Sequence, residues 1–386
     1  MKQSNRKTKV CIIRSNPVNP DSRVEKEALA LTRAGYDVHI LAWDRGAEER
    51  EISSTLFLAG ESIPITRLGH RAGYGEGLRS LRAYLAFQLH MRRWLGRHSF
   101  DVVHACDFDT AFFSCGVAKR HKSRFVFDIF DFLYDRPRGL LQKVVRRAQF
   151  WLINRADATI VCTEERREQI AGSSPKRLAV VQNTPDARQI EGLGERAVDT
   201  GRIRLVYVGI LQPHRLLREV VEAVSVRDDI ELHIGGFGRL EGYIKEMADI
   251  CGNIFFYGRI PYARTLALEQ SCHIMLALYD PAVPNHLYAA PNKFYESLML
   301  GKPVMMVKNT GMSRIVEDFD LGELIGYSKE EFAGGIDRLL SRRAEWESIS
   351  ERMKKLYRDS YSWEKSEKIL LKLYSELNDG KNTDSQ

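Results

Sequence analysis

Short apolar strands that alternate with helices, first in one half of the chain and again in the other, constrain this sequence more than any other feature. Residues 10–13 form a buried-type strand, and Ser22-x-x-Glu25 reads as a capping box opening a helix that Gly35 ends. The next strand covers 37–42, which completes a β-α-β unit with a right-handed parallel crossover. Strands at 101–104, 125–128, 158–161 and 178–181 follow, each beside a turn or helix, so this half is an open α/β layer. Residues 184–202 are charged and turn-rich and read as a linker. Strands restart at 204–208, 230–234, 254–257, 274–277 and 304–307 with helices between them. The expected class is α/β, with two Rossmann-like domains.

Length agrees, since 386 residues exceed one ordinary core. A formal charge of +7 admits an anionic partner, although dispersed lysines give the same total. The six cysteines lie far apart, with no CxxC and no Cys/His ligand spacing. They read as reduced core thiols of a cytoplasmic protein, and no metal site is expected. The polar residues 1–7 lead straight into a strand rather than into a signal-peptide apolar region, and no apolar run reaches membrane-span length. Residues from about 381 to 386 read as a disordered tail.

Two stretches, 78–97 and 136–155, mix arginine with aromatic residues on amphipathic helices. One face of each must cover the sheet, so the plainer reading leaves the charges in solvent. The sharper reading rests part of that basic, aromatic surface on an anionic membrane.

Ligands of parallel α/β sheets bind at the carboxyl edge of the strands. In the first half, Asp107 and Asp109, Asp128 and Asp131, and Asn183 all fall just after strand ends. Each alone serves as a turn former or cap; together they are candidate hydroxyl-binding groups. The loop 14–21 lacks GxGxxG, which argues against a dinucleotide site there. In the second half Gly209 ends the first strand and lets a ligand approach the backbone, Arg215 offers a fork suited to phosphate, and Gly236 lies in the turn 235–238. Residues 291–303 then read as a short helix from about 293 to 300, with Asn292 as its cap and Gly301 and Pro303 as its stop. Its N-terminus suits a diphosphate, with Lys293 beside it and Glu296 where a carboxylate can accept ribose hydroxyls; the plainer reading makes Glu296 an ordinary first-turn acid and Lys293 a solvated charge.

In order, Asp21-x-Arg-Val-x-Lys-Glu27, Val103-His-Ala-Cys-Asp-x-Asp109, Val126-Phe-Asp128, Asn183-Thr-Pro185, Gly209 through Arg215, the turn 235–238, residues 253–258, and Pro291-Asn-Lys-x-x-Glu296 with Gly301-Lys-Pro303 resemble the retaining family 4 glycosyltransferases of GT-B architecture. The resemblance covers nearly the whole chain. Residues 361–363 and the helix after them resemble the family's end, where the chain crosses back to the first domain. It implies an acceptor domain over 1–195 with the returning helix 362–380, a donor domain over 200–360, and chemistry in the cleft between. It also implies a nucleotide-sugar donor, UDP- or GDP-linked, with no other cofactor and no metal. Glu296 then holds the donor ribose, Arg215 the diphosphate, and Gly209, Gly236, Asn292 and Lys293 complete the donor site. Arg215, Glu296, Asp128 and Asp131 are the catalytic candidates, and Asp107, Asp109 and Asn183 the acceptor-binding ones.

Three positions depart from the family pattern. Tyr288 stands where many relatives carry a sugar-contacting glutamate, Ile210 where an arginine follows the strand glycine, and Phe130 where a histidine is frequent. Asn285, His286, Asp128 and Asp131 are the polar groups nearest to those gaps. The resemblance implies transfer to a glycan or lipid-linked glycan acceptor in polysaccharide-type biosynthesis, with no nucleic-acid partner. The alternative is a non-catalytic subunit of the same fold that binds nucleotide sugars.

Overall fold

The structure is a computed structural model that describes residues 6–72, 78–132, 139–190 and 201–383. Parts of three expectations, residues 136–138 of the second arginine-rich helix, 191–200 of the linker and 384–386 of the tail, lie outside the described residues. The chain divides into two compact units, residues 1–181 with 367–386, and residues 182–366.

The first unit runs β1 (Lys9–Arg14), α1 (Ser22–Arg33), β2 (Asp37–Asp44), β3 (Glu51–Leu58), β4 (Glu61–Gly69), α2 (Leu78–Arg97), β5 (Val102–Cys106), α3 (Phe108–Arg120), β6 (Arg124–Ile129), α4 (Leu140–Arg155), β7 (Ala158–Val161), α5 (Arg166–Gln169) and β8 (Leu178–Val180). Its sheet has the order β3-β4-β2-β1-β5-β6-β7-β8 and is parallel except for the β3/β4 hairpin. On one sheet face, α2 (Phe87, Met91, Trp94), α3 (Cys115, Ala118) and α4 (Leu152, Ile153) bury their inner stripes against Ile13, Leu41, Trp43, Phe125 and Phe127. Trp43 and Phe87 stack with centroids 4.7 Å apart.

The hairpin is absent from the sequence expectation. Ser53, Ser54, Thr55 and Pro64 break the apolar pattern there, and β3 is an exposed edge strand. What specifies it is the two-residue turn Ala59-Gly60, whose φ values of 45° and 89° match the strand twist. The helix start differs as well. Asp21, not Ser22, caps α1: its carboxylate accepts from Val24 N at 3.3 Å, and Glu25 accepts from Asp21 N at 3.0 Å.

The second unit runs β9 (Ile203–Ile210), α6 (Leu217–Val224), β10 (Ile230–Phe237), α7 (Glu241–Ile250), β11 (Ile254–Phe256), α8 (Tyr262–Ser271), β12 (Ile274–Ala277), α9 (Asn292–Leu300), β13 (Val304–Val307), α10 (Ser313–Asp318), β14 (Gly322–Ile325), α11 (Lys329–Ser341) and α12 (Trp346–Leu356). Its sheet is parallel throughout, in the order β11-β10-β9-β12-β13-β14. The last helix, α13 (Trp363–Thr383), belongs to the first unit from residue 367 onward. It buries Leu370, Leu373, Tyr374 and Leu377. The Tyr374 hydroxyl lies 2.7 Å from His104 Nδ1 of β5, and its ring meets Tyr36 edge-on at 5.5 Å. Residues 381–383, expected in the tail, are therefore helical.

In each sheet the strand order reverses once, between β1 and β5 in the first unit and between β9 and β12 in the second. Strand ends at such a reversal leave a crevice, which is where ligands of doubly wound sheets bind. Asp21 braces the first of these points, because its Oδ2 also accepts from Arg14 Nε at 2.9 Å and Asn16 Nδ2 at 2.7 Å. Asp21→Ala is expected to lower stability by about 1–2 kcal/mol in urea unfolding, and Asp21→Asn, which keeps a capping oxygen, by less than half of that.

Candidate functional site

At the reversal in the second sheet, the next-to-last residue of β9 is glycine. Gly209 has φ 157°, and a Cβ there would sit 2.6 Å from Lys293 Nζ, so the lysine occupies the space that a side chain would need. Gly236 pairs with Gly209 across β9 and β10, and a Cβ on it would meet the Gly209 carbonyl. Close backbone packing thus requires glycine at 236, while at 209 a side chain would have to displace the lysine end and adopt a φ that favours glycine. Lys293 Nζ stands 4.5 Å from the centroid of the Tyr207 ring. Burial alone would lower the Lys293 pKa, but Tyr207, Tyr279 and Glu296 more than offset it, and the net shift is upward. The ammonium stays charged.

Arg215 reaches the same place from a 3-10 turn, Pro213–Arg215, after β9. Its guanidinium lies over the Tyr279 ring at 3.8 Å, and Nη1 donates to His286 Nε2 at 3.0 Å. His286 Nδ1 donates to the Asp280 carbonyl at 2.8 Å, which leaves Nε2 as the acceptor. Burial and then the nearby arginine lower the His286 pKa, consistent with that neutral tautomer. Three residues beyond Lys293 on α9, Glu296 is buried and accepts from the Tyr262 hydroxyl at 3.0 Å. At the paired ends of β9 and β10, Ile210 and Phe237 stand about half exposed, with the Arg259 guanidinium over the Phe237 ring at 5.1 Å.

α9 starts one residue earlier than expected, and Asn292 does not cap it; the cap position is Pro291, with no side-chain bond. Asn292 Oδ1 instead accepts from Asn183 Nδ2 at 2.8 Å. Asn183, expected among the acceptor groups of the first domain, falls in the second unit and orients the start of α9. Gly301, with φ 65°, closes the helix as predicted. The structure therefore brings together Gly209, Arg215, Gly236, Asn292, Lys293, Glu296, Asn183 and His286, and adds Tyr207, Tyr262 and Tyr279.

It also adds Glu269 of α8, which is 1% exposed. Neither of its carboxyl oxygens has a hydrogen-bond partner among the described residues. Burial first, and the neighbouring Glu296 second, push its pKa well above the usual carboxylate range. That shift favours the neutral form of Glu269.

The reversal in the first sheet gathers a different set. Asp107 adopts φ 67°, rare for a residue with a side chain, and its Oδ1 accepts from the backbone N–H of Phe130 at 2.8 Å and of Asp131 at 3.1 Å. Its Oδ2 pairs with Arg14. Burial, only partly countered by Arg14, raises its pKa to about 6. Asp128, expected as a catalytic group, is fully buried and ion-paired with Arg23 at 2.7 Å. Its carboxylate is taken up by Arg23 and His104. Although burial pushes its pKa up, Arg23 and His104 bring it below the usual value. Phe130 is clasped between the guanidinium groups of Arg14 at 4.3 Å and Arg23 at 4.4 Å. Asp131 keeps a half-exposed side chain and accepts from the buried Arg166 at 3.2 Å. Asp109 is half-buried, with its pKa raised mainly by burial. Asp131 keeps the open side chain, whereas Oδ1 of Asp109 is buried and has no hydrogen-bond partner among the described residues.

One group of potential metal ligands comes together among the described residues, His104, Cys106 and Asp128. All three are buried, Asp128 is engaged by Arg23 and His104 Nδ1 by Tyr374, and burial raises the Cys106 thiol well above its usual pKa. This chemistry fits an ion-pair network better than an ion site.

Comparison with known proteins follows the same division of the chain. Residues 20–184 match the family described as Glycosyl transferase 4-like domain, and residues 193–359 the family described as Glycosyl transferases group 1. Among solved structures, sucrose-phosphate synthase from Thermosynechococcus elongatus has a TM-score of 0.73 at 14% identity, over 97% of this chain and 100% of that one. The α,α-trehalose 6-phosphate synthase from Burkholderia multivorans gives 0.70 at 12%, over 98% of each chain. HepE of Anabaena, solved in complex with UDP, gives 0.67 at 14%, over 96% of this chain and 100% of that one. At these identities the likeness concerns the fold. A sequence search of the curated proteins finds no match.

The state of Glu269 has a measurable consequence. Its folded pKa is raised, so above about pH 4.3 the unfolded chain holds fewer protons than the folded one, and stability falls as pH rises. Glu269→Gln, which removes the ionisation and keeps the shape, is expected to gain thermal stability over the parent progressively from about pH 4.5 to pH 8. A difference independent of pH would show that Glu269 is ionised in the folded protein.

Proposed function

We propose that this chain, a glycosyltransferase of GT-B fold by its two matched domains and its architecture, moves a sugar from a nucleotide-diphosphate donor to a hydroxyl of a glycan or lipid-linked glycan, with retention of anomeric configuration. The observation that carries the reading is the convergence of Lys293, Arg215 and Glu296 around the strand end at Gly209. A diphosphate fits there. Its charge is met by the Lys293 ammonium, the Arg215 fork and the start of α9, and Glu296 is placed for the ribose hydroxyls. Ile210 and Phe237 offer apolar surface for the base. HepE, a structural neighbour, has been solved with UDP and with UDP-glucose, which supports a UDP-sugar as donor and leaves a GDP-sugar as the other candidate.

In the reaction so read, the acceptor oxygen bonds to the anomeric carbon on the face from which the diphosphate departs. The bond from that carbon to the phosphate oxygen breaks, and the acceptor proton passes to the departing phosphate. Lys293 and Arg215 stabilise the charge that grows on the leaving group, with no other cofactor assigned a role. Asp131 and Asp109 are assigned to acceptor hydroxyls, while Asp107 and Asp128 hold the strand ends in place. Free thiols, five of the six buried, suit a cytoplasmic setting.

A second reading is favoured by Phe130, since two arginines clasp an apolar ring where relatives carry a histidine. It is a subunit of the same fold that binds nucleotide sugars without turnover. Slow donor hydrolysis by the purified protein supports transfer; donor binding with no hydrolysis and no transfer supports the second reading.

A thermal-shift panel of UDP- and GDP-sugars identifies the donor, because a ligand bound only to the folded form raises the melting temperature. With that donor, Arg215→Ala and Glu296→Ala are each expected to cut turnover by about 100-fold or more while the circular dichroism spectrum is unchanged. Near-parental turnover by either variant would remove that residue from the site.

A further inference from the structure

We propose that the outward face of α2, α3 and α4 is a docking surface for an anionic lipid bilayer. All three helices pack their inner stripes on the same face of the first sheet, so their outer faces lie side by side. On α2 the leucines at 81, 85 and 89, one helical turn apart, remain 51%, 47% and 49% exposed. A solvated helix face does not ordinarily present such a stripe. On α4, Leu140, Val144 and Trp151 share one face and are also exposed, and Trp151 approaches the exposed Phe112 of α3 at 6.2 Å.

Around this apolar strip positive charge predominates. Neither α2 nor α4 contains an acidic residue. The three helices together carry eleven lysines and arginines and one aspartate, so a chain of net charge +7 is net −3 outside them. Arg82, Arg92, Arg93 and Arg97 are exposed on α2, and Lys143, Arg147 and Arg155 on α4. Beside Leu89, a cleft of about 840 Å³ opens between α2 and the β3/β4 hairpin, lined by Arg50, Arg71, Arg93 and Arg97 with Glu48 and Glu51. A second recess between α2 and α3 is lined by Arg92 and Arg120 with Phe112 at its rim.

Apolar side chains flanked by arginines match the interface of an anionic bilayer. Leucine and tryptophan enter the boundary region, and the arginine stems lie along it with their charged ends at the phosphates. A second copy of the chain is a poor occupant, because a symmetric contact would bring two cationic faces together. Among the described residues no helix is long and apolar enough to cross a membrane, so the contact is made from one side. The inference rests on the first unit's surface alone and does not depend on the donor site.

The test uses the full-length protein and extruded vesicles, either pure phosphatidylcholine or an equal mixture with phosphatidylglycerol. Co-sedimentation is expected with the mixed vesicles at low salt, to weaken as salt is raised, and to be at least tenfold poorer with phosphatidylcholine alone. One basic residue near an anionic surface contributes about fivefold to partitioning, so Arg92→Ala/Arg93→Ala is expected to lower it by more than about tenfold. Leu85→Gln/Leu89→Gln tests the apolar strip and is expected to lower it by a similar factor. Both pairs are exposed, and unchanged melting temperatures establish that the variants are folded. No association with the mixed vesicles at low salt, equal association with both vesicle types, or parental association by both double variants would overturn the proposal. So would a dimer in sedimentation velocity that the leucine variant dissolves, since a second copy would then be the occupant.

Discussion

A positive charge buried at a strand end is the constraint on which the second unit depends. Removing an ammonium from water is costly unless the surroundings return what hydration supplied. Lys293 obtains this from the face of Tyr207, from Tyr279, and from the carboxylate of Glu296 on the next turn of its own helix. The arrangement leaves no room for a side chain at residue 209 and forces the paired Gly236 against the same backbone. The neutral form of Glu269, which its raised pKa favours, keeps a second negative charge away from the ammonium. A site built in this way is pre-formed: its cation is already buried and held in place, so the diphosphate proposed to bind there would meet it without reorganisation.

The first unit handles buried charge differently. Arg23, Glu27, Asp128 and His104 form a network with no appreciable exposure, in which burial and Asp128 raise the Glu27 pKa to about 7. Such a network contributes little net stability, but breaking one partner leaves a buried charge uncompensated. Its effect is to fix the ends of β1, β5 and β6, where Asp107 bonds the backbone of Phe130 and Asp131. Acids that look like ligand groups in sequence are divided by this structure. Asp107 and Asp128 are engaged by arginines and backbone, Asp109 is drawn inward with Oδ1 buried, and Asp131 alone of the four keeps a half-exposed side chain.

Much of this is legible in the sequence, for physical reasons. Strands buried on both faces are continuous apolar runs, and every such run is a strand. Gly301 stops α9 because only a residue tolerating φ 65° fits there. Edge elements are less legible: β3 is mostly exposed, and β14 has a single fully buried residue, so neither carries a strong apolar pattern. That Gly209, Arg215, Lys293 and Glu296 come together in the second unit is legible because glycine, cations and a helix start are local signals in the sequence. Tyr207, Tyr262, Tyr279 and Glu269 are not, because their roles arise only when segments distant in sequence meet. For Tyr207 a faint signal exists, since strand alternation puts it on the same side as Gly209. For Glu269 none does.

The claim that the Lys293 ammonium holds a diphosphate is tested most directly by calorimetric titration of UDP and GDP into the parent protein and into Lys293→Met. Methionine keeps the buried stem and removes only the charge. The account predicts saturable binding of one nucleoside diphosphate by the parent and a loss of about 2 kcal/mol or more in the variant. Equal affinity of parent and Lys293→Met for that nucleotide would contradict it.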